Sequence, residues 1–433
     1  MPELDLSSDQ IDEATSWAKM SLLDTTFRPS APVNRDELFS GRHDQRVSIF
    51  EAIRSPGQHA VIFGERGVGK TSLATTCAAV TMTDGRIPLI VTCDGGDNFH
   101  GIWQKFVDEC VIYLADHPNH AEDLEVAMER AAEVLRDDSI GPAQVRLALH
   151  HILTVAEVVV VIDEFNEIND PDTSALVSNM IKMLSDKVEP VTFVIVGVSE
   201  NVDQLIRNRQ SIGRNLAQIR MPRMAPDELE TIARKGFEVL GIGADHDVYK
   251  LIRTIPRGLP QYAHIIAQEG ARQALMRRSL GITVDDTLNG LRVGLEKVDH
   301  TLSAAYEEAT YSARASRFKE VLLACALTEP DEFGYFTPAN VRLPYSQVTG
   351  EVMDIPNFNP QLAIFAQERG EILVRTGSEK RWRYRFSEPL MEPYVLLKGL
   401  DDGKITPDQI LGHAVEPIVA ERLFDLPPTA PQP

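Results

Sequence analysis

The chain has 433 residues, of which 43% are hydrophobic and 25% charged, an ordinary composition for a globular protein with room for two or three domains. Its net charge of −21 excludes a surface that is basic all over, so any contact with nucleic acid requires a local basic patch. The four cysteines are widely spaced and form no C-x-x-C pair, which argues against a zinc site or a disulfide framework and predicts a reducing cytoplasm.

No segment predicts export or insertion into a membrane. The acidic N-terminus lacks the basic start and apolar core of a signal peptide. The apolar runs also fall well short of the roughly 20 residues that span a bilayer. We therefore expect a soluble protein without a membrane partner.

The first 35 residues are polar with scattered prolines, and Ser8 to Leu23 has the pattern of one amphipathic helix. We interpret residues 1–35 as a loosely attached N-terminal arm. Two alternatives stay open: the arm packs on a neighbouring subunit, or it is a disordered tail. The segment Glu37–Arg42 follows and leads into a predicted helix that ends near Ile53.

A phosphate-binding loop comes next. Residues Gly64–Thr71 fit the pattern G-x-x-x-x-G-K-[ST] between the apolar strand His59–Phe63 and the predicted helix Ser72–Val80. Glycines let backbone N–H groups converge on phosphate oxygens, and the helix start adds the positive end of its dipole. In this motif Lys70 reaches the β- and γ-phosphates of ATP, and the Thr71 hydroxyl binds Mg²⁺. The predicted nucleotide-binding residues of the loop are Gly64, Glu65, Arg66, Gly67, Val68, Gly69, Lys70, Thr71 and Ser72.

The next stretch predicts one strand and three helices. Ile87–Cys93 is an apolar strand, and residues 99–115, 121–137 and 142–153 have the composition and spacing of helices. We expect the block from 98 to 153 to form a helical excursion between the second and third strands of a nucleotide-binding sheet.

A second motif ends the third strand. Val158–Glu164 is a run of β-branched residues that closes with Asp-Glu, typical of a parallel strand that is buried on both faces. The carboxyl end of such a strand lies at the crevice where ligands bind. We predict that Asp163 holds Mg²⁺ and that Glu164 is the general base that polarises water. The adjacent glutamate favours hydrolysis over transfer of phosphate to a bound acceptor.

A further helix, Ser174–Leu184, precedes a buried strand that starts at Pro190 and ends in polar residues, Ser199, Glu200 and Asn201. The following stretch is rich in arginine up to and beyond a predicted strand at 216–219. These arginines are Arg207, Arg209, Arg214, Arg220 and Arg223.

From Met224 onward the pattern is helical. Helices are expected to about Leu240 and then over about 245–255, 260–278 and 284–296, which together predict a helical lid. The turn between the second and third of them contains Gly258-Leu259-Pro260.

The last region predicts helices followed by a two-stranded hairpin, the order of a winged-helix domain. Phe318–Leu327 and Asn359–Arg369 read as helices, and Ile372–Arg375 and Trp382–Phe386 alternate as strands. The hairpin carries an excess of basic residues, interleaved with aromatic ones, which suits a phosphate backbone. The candidate DNA-contacting residues are Arg375, Lys380, Arg381, Arg383 and Arg385. Winged helices also dock proteins, so a protein partner stays open as the alternative.

Taken together, these motifs resemble the AAA+/STAND P-loop ATPases, and most of all the origin-recognition initiator type, over about residues 36–400. The resemblance implies an AAA+-type three-layer α/β/α parallel sheet, followed by an α-helical lid and a C-terminal winged-helix domain. The predicted organisation is an arm (1–35), an α/β nucleotide-binding domain (36–223), a lid (224–298), a winged-helix domain (299–400) and a flexible tail (401–433).

The resemblance also implies roles outside the two motifs. Arg42 lies in the segment that contacts adenine in this family, and Pro260 belongs to a lid turn that approaches the nucleotide. Ser199 is the candidate for the polar residue that orients the attacking water, with an uncertainty of one or two positions. Arg214, or else Arg209, is the candidate arginine that projects into the site of the next subunit.

Two functions follow from the resemblance. The first is an ATP- and Mg²⁺-dependent switch that forms homo-oligomers and assembles on, or remodels, a DNA-associated partner complex. The second is a STAND-like signalling or defence scaffold, in which ATP controls oligomerisation and the winged helix docks a protein. The basic hairpin favours the first function, and Gly258-Leu259-Pro260 favours the second.

Overall fold

The computed structural model describes residues 10–29, 41–119, 121–137, 139–199, 201–206, 213–297, 300–312, 317–331, 333–378 and 381–411. The chain divides into two compact units. We call Ala31–Pro222 the sheet unit, and Met1–Ser30 together with Arg223–Pro433 the helical unit. No helix in the described parts of the chain is both long and apolar enough to cross a membrane.

The sheet unit is built on five parallel strands with the order β2-β3-β4-β1-β5. The strands are β1 His59–Gly64, β2 Ile87–Thr92, β3 Val158–Asp163, β4 Val191–Val198 and β5 Leu216–Met221. β1 and β3 are buried along their whole length, as continuous apolar strands of a covered parallel sheet should be. The strand order inserts β4 between the two strands that carry the sequence motifs.

Helices flank this sheet. They are α2 His43–Arg54, α3 Lys70–Val80, α4 Phe99–Asp116, α5 Glu122–Leu135, α6 Pro142–Leu153, α7 Thr173–Lys187 and α8 Val202–Leu205. The first helix of the chain, α1, belongs to the helical unit. α4, α5 and α6 form the predicted helical excursion between β2 and β3. The parallel sheet with flanking helices confirms the predicted α/β fold of P-loop NTPases.

The helical unit contains α1 Glu13–Thr26 and the helices that follow the sheet. These are α9 Pro226–Leu240, α10 His246–Thr254, α11 Pro260–Met276, α12 Val284–Lys297, α13 His300–Thr310, α14 Phe318–Leu327, α15 Pro338–Thr349, α16 Asn359–Phe365, α17 Met391–Asp401 and α18 Pro407–Leu411. Two short sheets complete it: β6 Gly243–Ala244 pairs in parallel with β7 Gly281–Ile282, and β8 Leu373–Thr376 pairs antiparallel with β9 Arg383–Phe386. One apolar core extends through the unit from Leu23 to Ile405.

The N-terminal helix differs from both alternatives that the sequence left open. It begins at Glu13, after the cap Asp12, and it packs on α9 and α11 of its own chain. The buried hydroxyl of Ser16 donates to the carbonyl of Leu275 at 2.7 Å, and Arg272 pairs with Asp24 at 2.6 Å. The described part of the arm is therefore an integral element of the helical unit.

The C-terminal boundary also differs from the expectation. Residues 401–433 were expected to form a flexible tail, but 401–411 contain α18, and Ile405 is buried in the core of the helical unit. The predicted helix Asn359–Arg369 is shorter in the structure, since α16 ends at Phe365.

Candidate nucleotide site

The phosphate loop joins β1 to α3. Gly64 ends β1 where β5 approaches closely, and a Cβ atom there would lie 2.4 Å from the carbonyl oxygen of Met221. Gly69 caps α3 with φ 92°, a left-handed conformation that glycine adopts without strain. The loop thus bends into the start of α3, where unpaired backbone N–H groups and the helix dipole favour an anion.

Lys70 is the first residue of α3, and its side chain folds back over the loop. It is buried, and its ammonium donates to the carbonyl of Glu65 at 2.9 Å. Burial lowers the pKa of Lys70 to about 8, and the carboxylates of Glu164 and Asp163 oppose this shift. The ammonium therefore lies within the electrostatic field of both motifs.

Asp163 and Glu164 lie at the carboxyl end of β3. Asp163 is buried, and its Oδ1 accepts the backbone N–H of Glu164 at 2.9 Å. Glu164 has φ 53°, a left-handed conformation that side chains rarely adopt and that is often found at functional sites. Burial raises the pKa of Glu164, the charge of Asp163 adds to the shift, and Lys70 opposes it. A raised pKa makes this carboxylate a stronger base.

The predicted metal ligands fit Mg²⁺ by their chemistry. The carboxylate of Asp163 and the hydroxyl of Thr71, one residue into α3, are hard oxygen donors of the kind that Mg²⁺ prefers. α3 packs against β3, the strand that ends in Asp163.

Arg42 contacts the phosphate loop directly. It precedes α2, is buried with φ 61°, and donates from Nη2 to the carbonyl of Val68 at 3.0 Å. The family resemblance predicts that Arg42 lies near adenine. The structure shows a different contact, a hydrogen bond from Arg42 to the phosphate loop. The preceding residues 37–40 lie outside the described part of the chain.

Ser199 follows the last residue of β4, between the two motifs. Its backbone N–H donates to the carbonyl of Gly64 at 3.3 Å, and its hydroxyl donates to the carbonyl of Asn201. Glu200 lies outside the described residues. Sequence reasoning missed Asn166, whose Oδ1 accepts the N–H of Val198 at 2.6 Å. The only signal for it was an amide two positions after the Asp-Glu pair.

Arg214 lies at the opposite edge of the sheet. It is exposed just before β5, and its carbonyl accepts from Gln58, the residue before β1. The six residues of β1 span roughly 20 Å at about 3.3 Å each, which separates Arg214 from the loop of its own subunit. Arg209, the other candidate, lies outside the described residues.

The predicted lid turn has contacts of its own in the helical unit. Pro260 begins α11, and Gly258 has φ 82° and accepts from the backbone N–H of Met224 at 2.9 Å. The guanidinium of Arg257 donates to the carbonyl of Ala326 at 2.7 Å and lies 3.5 Å from the carboxylate of Glu392.

The basic hairpin is backed by aromatic rings. The guanidinium of Arg375 lies 4.3 Å from the ring centre of Trp382. Arg383 and Arg385 both lie over the ring of Tyr335, at 4.8 and 4.9 Å. Arg383 also pairs with Asp331 at 3.2 Å, Arg381 is exposed, and Lys380 lies outside the described residues.

Comparisons with known proteins find matches over the part of the chain that contains these residues. Residues 38–195 match the family model described as AAA ATPase domain. A Walker-type ATPase of Pyrococcus abyssi is similar in structure, with 14% sequence identity, a TM-score of 0.50, and coverage of 86% of this chain and 99% of its own.

Two further solved structures show weaker similarity of fold. Cdc6p of Pyrobaculum aerophilum is 16% identical with a TM-score of 0.44, and the match covers 88% of this chain and 99% of that chain. The ORC2 protein of Aeropyrum pernix is 13% identical with a TM-score of 0.45, and the match covers 90% of this chain and 97% of that chain. No curated protein matches the chain in sequence. The match to the AAA ATPase domain model thus includes both of the predicted nucleotide-binding motifs.

Proposed function

We propose that the chain is an ATP-dependent AAA+ molecular switch that binds ATP with Mg²⁺ and hydrolyses it to ADP and phosphate. The observation that carries the proposal is the convergence of Lys70, Asp163 and Glu164. The charges of Asp163 and Glu164 favour a higher pKa for Lys70, and the charge of Lys70 favours a lower pKa for Glu164. Such coupling supports phosphate binding and proton abstraction at one edge of the sheet, where parallel strands present their ligand-binding ends.

The residues divide the work of hydrolysis between them. Phosphate oxygens bind the loop N–H groups and the ammonium of Lys70, which exchanges the Glu65 carbonyl for a phosphate oxygen. Glu164 accepts a proton from the attacking water, which Ser199 orients from the end of β4. Asp163 and Thr71 would hold Mg²⁺, which would supply positive charge beside the phosphates.

The position of Arg214 supports a site that is shared between subunits. At the far edge of the sheet it is remote from its own phosphate loop, so its proposed role is to stabilise the phosphoryl charge in a neighbouring copy. Binding of ATP would then favour a homo-oligomer. The proposed nucleotide contacts of Arg42 and Pro260 rest on the family resemblance alone.

We further propose that the C-terminal part is a winged helix that contacts DNA or a DNA-associated complex. Three helices, α14 to α16, precede the hairpin β8-β9, and Phe336 adds an antiparallel bridge to Tyr384 of β9. Arginines backed by Trp382 and Tyr335 present planar cations that suit a phosphate backbone.

A second candidate, the STAND-like scaffold, is favoured by one specific observation. Arg257 precedes Gly258-Leu259-Pro260 and binds the carbonyl of Ala326 and the buried carboxylate of Glu392. The hydroxyl of Tyr262 likewise donates to the carbonyl of Leu390 at 2.9 Å. The predicted lid is thereby joined to the C-terminal part, as a winged helix that clamps protein would require.

ATP turnover tests the proposed enzyme. Glu164→Gln should retain nucleotide affinity and lower kcat by at least about 100-fold, whereas Lys70→Ala should weaken binding. Glu157→Gln is the control, because this exposed carboxylate precedes β3 at the opposite end of the strand from Glu164. Parental turnover in Glu164→Gln would contradict the assignment of the base.

Turnover with and without double-stranded DNA at two salt concentrations separates the two functions. Stimulation that fades with salt, and weakens in Arg381→Gln but not in the exposed control Arg292→Gln, supports the DNA-associated switch. Turnover that is indifferent to DNA supports the scaffold instead.

A further inference from the structure

The short turn after β3 carries an amide that the two motifs do not include. β3 ends at Asp163, Glu164 turns left-handed, and Phe165–Glu167 form one turn of 3₁₀ helix. Phe165 is buried in the core of the sheet unit and anchors this turn. Asn166 therefore has a fixed origin between two elements of the candidate site.

β4 extends past the end of β3. The last paired residues of these strands are Ile162 and Ile195, whereas β4 continues to Val198. The N–H of Ser199 points to β1, where it reaches the carbonyl of Gly64. Successive N–H groups of a strand point to opposite sides, so the N–H of Val198 points towards β3, which has already turned away.

Asn166 supplies the acceptor that β3 no longer provides. Its Oδ1 accepts the N–H of Val198 at 2.6 Å, in the place of a strand carbonyl. A Cβ atom at Gly197 would lie 3.1 Å from this oxygen and 3.4 Å from the backbone nitrogen of Asn166. The glycine therefore permits the close approach of the turn to the strand.

The other half of the amide is fixed within the turn. Nδ2 of Asn166 donates to the carboxylate of Glu167 at 2.8 Å, and the backbone N–H of Glu167 donates to the carbonyl of Glu164 at 2.9 Å. One side chain thus connects the turn that begins with Glu164 to the strand that delivers Ser199.

We propose that Asn166 is a positioning residue for ATP hydrolysis, which sets the end of β4, and with it Ser199, relative to Glu164. The inference rests on the proposed function. It concerns the chemical step and not the affinity for nucleotide, because Asn166 is bonded to the strand and the turn and not to the phosphate loop. Misplacement by about 1 Å at a distance from the chemistry can lower a rate by about 100-fold.

The test compares Asn166→Ala with the double variant Asn166→Asp, Glu167→Gln. Asn166→Ala should lower kcat by about 10- to 100-fold with KM and the affinity for a non-hydrolysable ATP analogue unchanged. Asn166→Asp combined with Glu167→Gln keeps the net charge, an oxygen that accepts from Val198 and a hydrogen bond between positions 166 and 167, and should recover much of the lost kcat. Asn169→Ala is the matched control, since it removes an amide of the same loop that bonds to the carbonyl of Gly95 and not to β4.

Hydrogen exchange gives a readout that does not depend on turnover. In Asn166→Ala, the amide of Val198 should exchange faster, whereas β1 amides should keep the parental rate. Parental kcat in Asn166→Ala, loss of nucleotide affinity together with kcat, or a double variant Asn166→Asp, Glu167→Gln no better than Asn166→Ala would each overturn the inference. A parent chain that binds ATP without hydrolysing it would instead refute the proposed function, whatever the exchange rates.

Discussion

Gly236 is predicted to respond to substitution with the opposite sign to an ordinary helical glycine. It lies inside α9, and the ring of Phe27, just after α1, packs against it. A Cβ atom at position 236 would lie 2.1 and 2.5 Å from two carbons of that ring. Phe27 is buried, with its ring edge-on to Phe237 and His264, so it has little room to move away.

The expected magnitude follows from these distances. Gly→Ala in a helix interior normally stabilises a protein by about 1 kcal/mol. Carbon atoms pack at about 3.5–4.0 Å, so the new methyl group in Gly236→Ala overlaps the Phe27 ring, and such overpacking costs about 1–3 kcal/mol. We expect Gly236→Ala to lower the free energy of unfolding of the helical unit by about 1–3 kcal/mol, and Phe27→Ala to lower it by about 3–5 kcal/mol.

Urea unfolding of the two single variants and the double variant tests this expectation. In the Phe27→Ala background the methyl group has space, so Gly236→Ala should there stabilise by about 1 kcal/mol, a coupling energy of about 2–4 kcal/mol. Gly294→Ala is the matched control, because its Cβ atom would lie 3.5 Å from its nearest neighbour, Ile265. If Gly236→Ala proves as stabilising as Gly294→Ala, the proposed packing of Phe27 is wrong.

Three further predictions concern ionisable side chains. The pKa of Lys70 is about 8, and bound phosphate would raise it. The affinity for ATP should therefore fall from pH 7.5 to 9, and binding should take up protons, which calorimetry in two buffers measures. An affinity that does not change with pH would contradict this prediction. Burial lowers the pKa of His59 to about 3, so as the pH falls below 6.5 this imidazole takes up a proton in the unfolded chain before it does so in the folded one. The free energy of unfolding should therefore drop by roughly 1.4 kcal/mol per pH unit towards pH 3. Urea midpoints should show a smaller drop in His59→Gln. Glu392→Gln removes a carboxylate that is 4% exposed and 2.7 Å from Arg223, and it should lower the free energy of unfolding by about 3 kcal/mol. The control Glu329→Gln changes a carboxylate that is 89% exposed and should change the urea midpoint little.

The parts of the site that sequence predicts are contiguous in the chain. Gly64–Thr71 and Val158–Glu164 each combine the end of a strand, a turn and the candidate functional side chains within a few residues, so local pattern is enough to predict them. The parallel sheet follows from the same segments, since uninterrupted apolar strands require cover on both faces.

The missed features depend on contacts between distant segments. Phe27 follows the N-terminal helix, and Gly236 lies inside α9, far away in sequence. Neither residue has a distinctive sequence pattern that would predict their contact. Without the pairing to α9 and α11, a polar helix near the N-terminus reads as an arm. Arg42 likewise gives no sign in sequence that it bonds to the carbonyl of Val68.

The position of β4 explains why the residue at its end was uncertain by one or two places. Which polar side chain faces the loop depends on the register of β4 against both neighbours, and a slip of one residue exchanges the two faces of a strand. The pairing of Gly64 with Val198 sets this register on the β1 side. On the β3 side the strand pairing stops at Ile195, and Asn166 continues it through a side chain. The sequence identifies the two motifs separately, and β4 connects them. Its alignment with β1 and β3 brings Ser199 between the motifs.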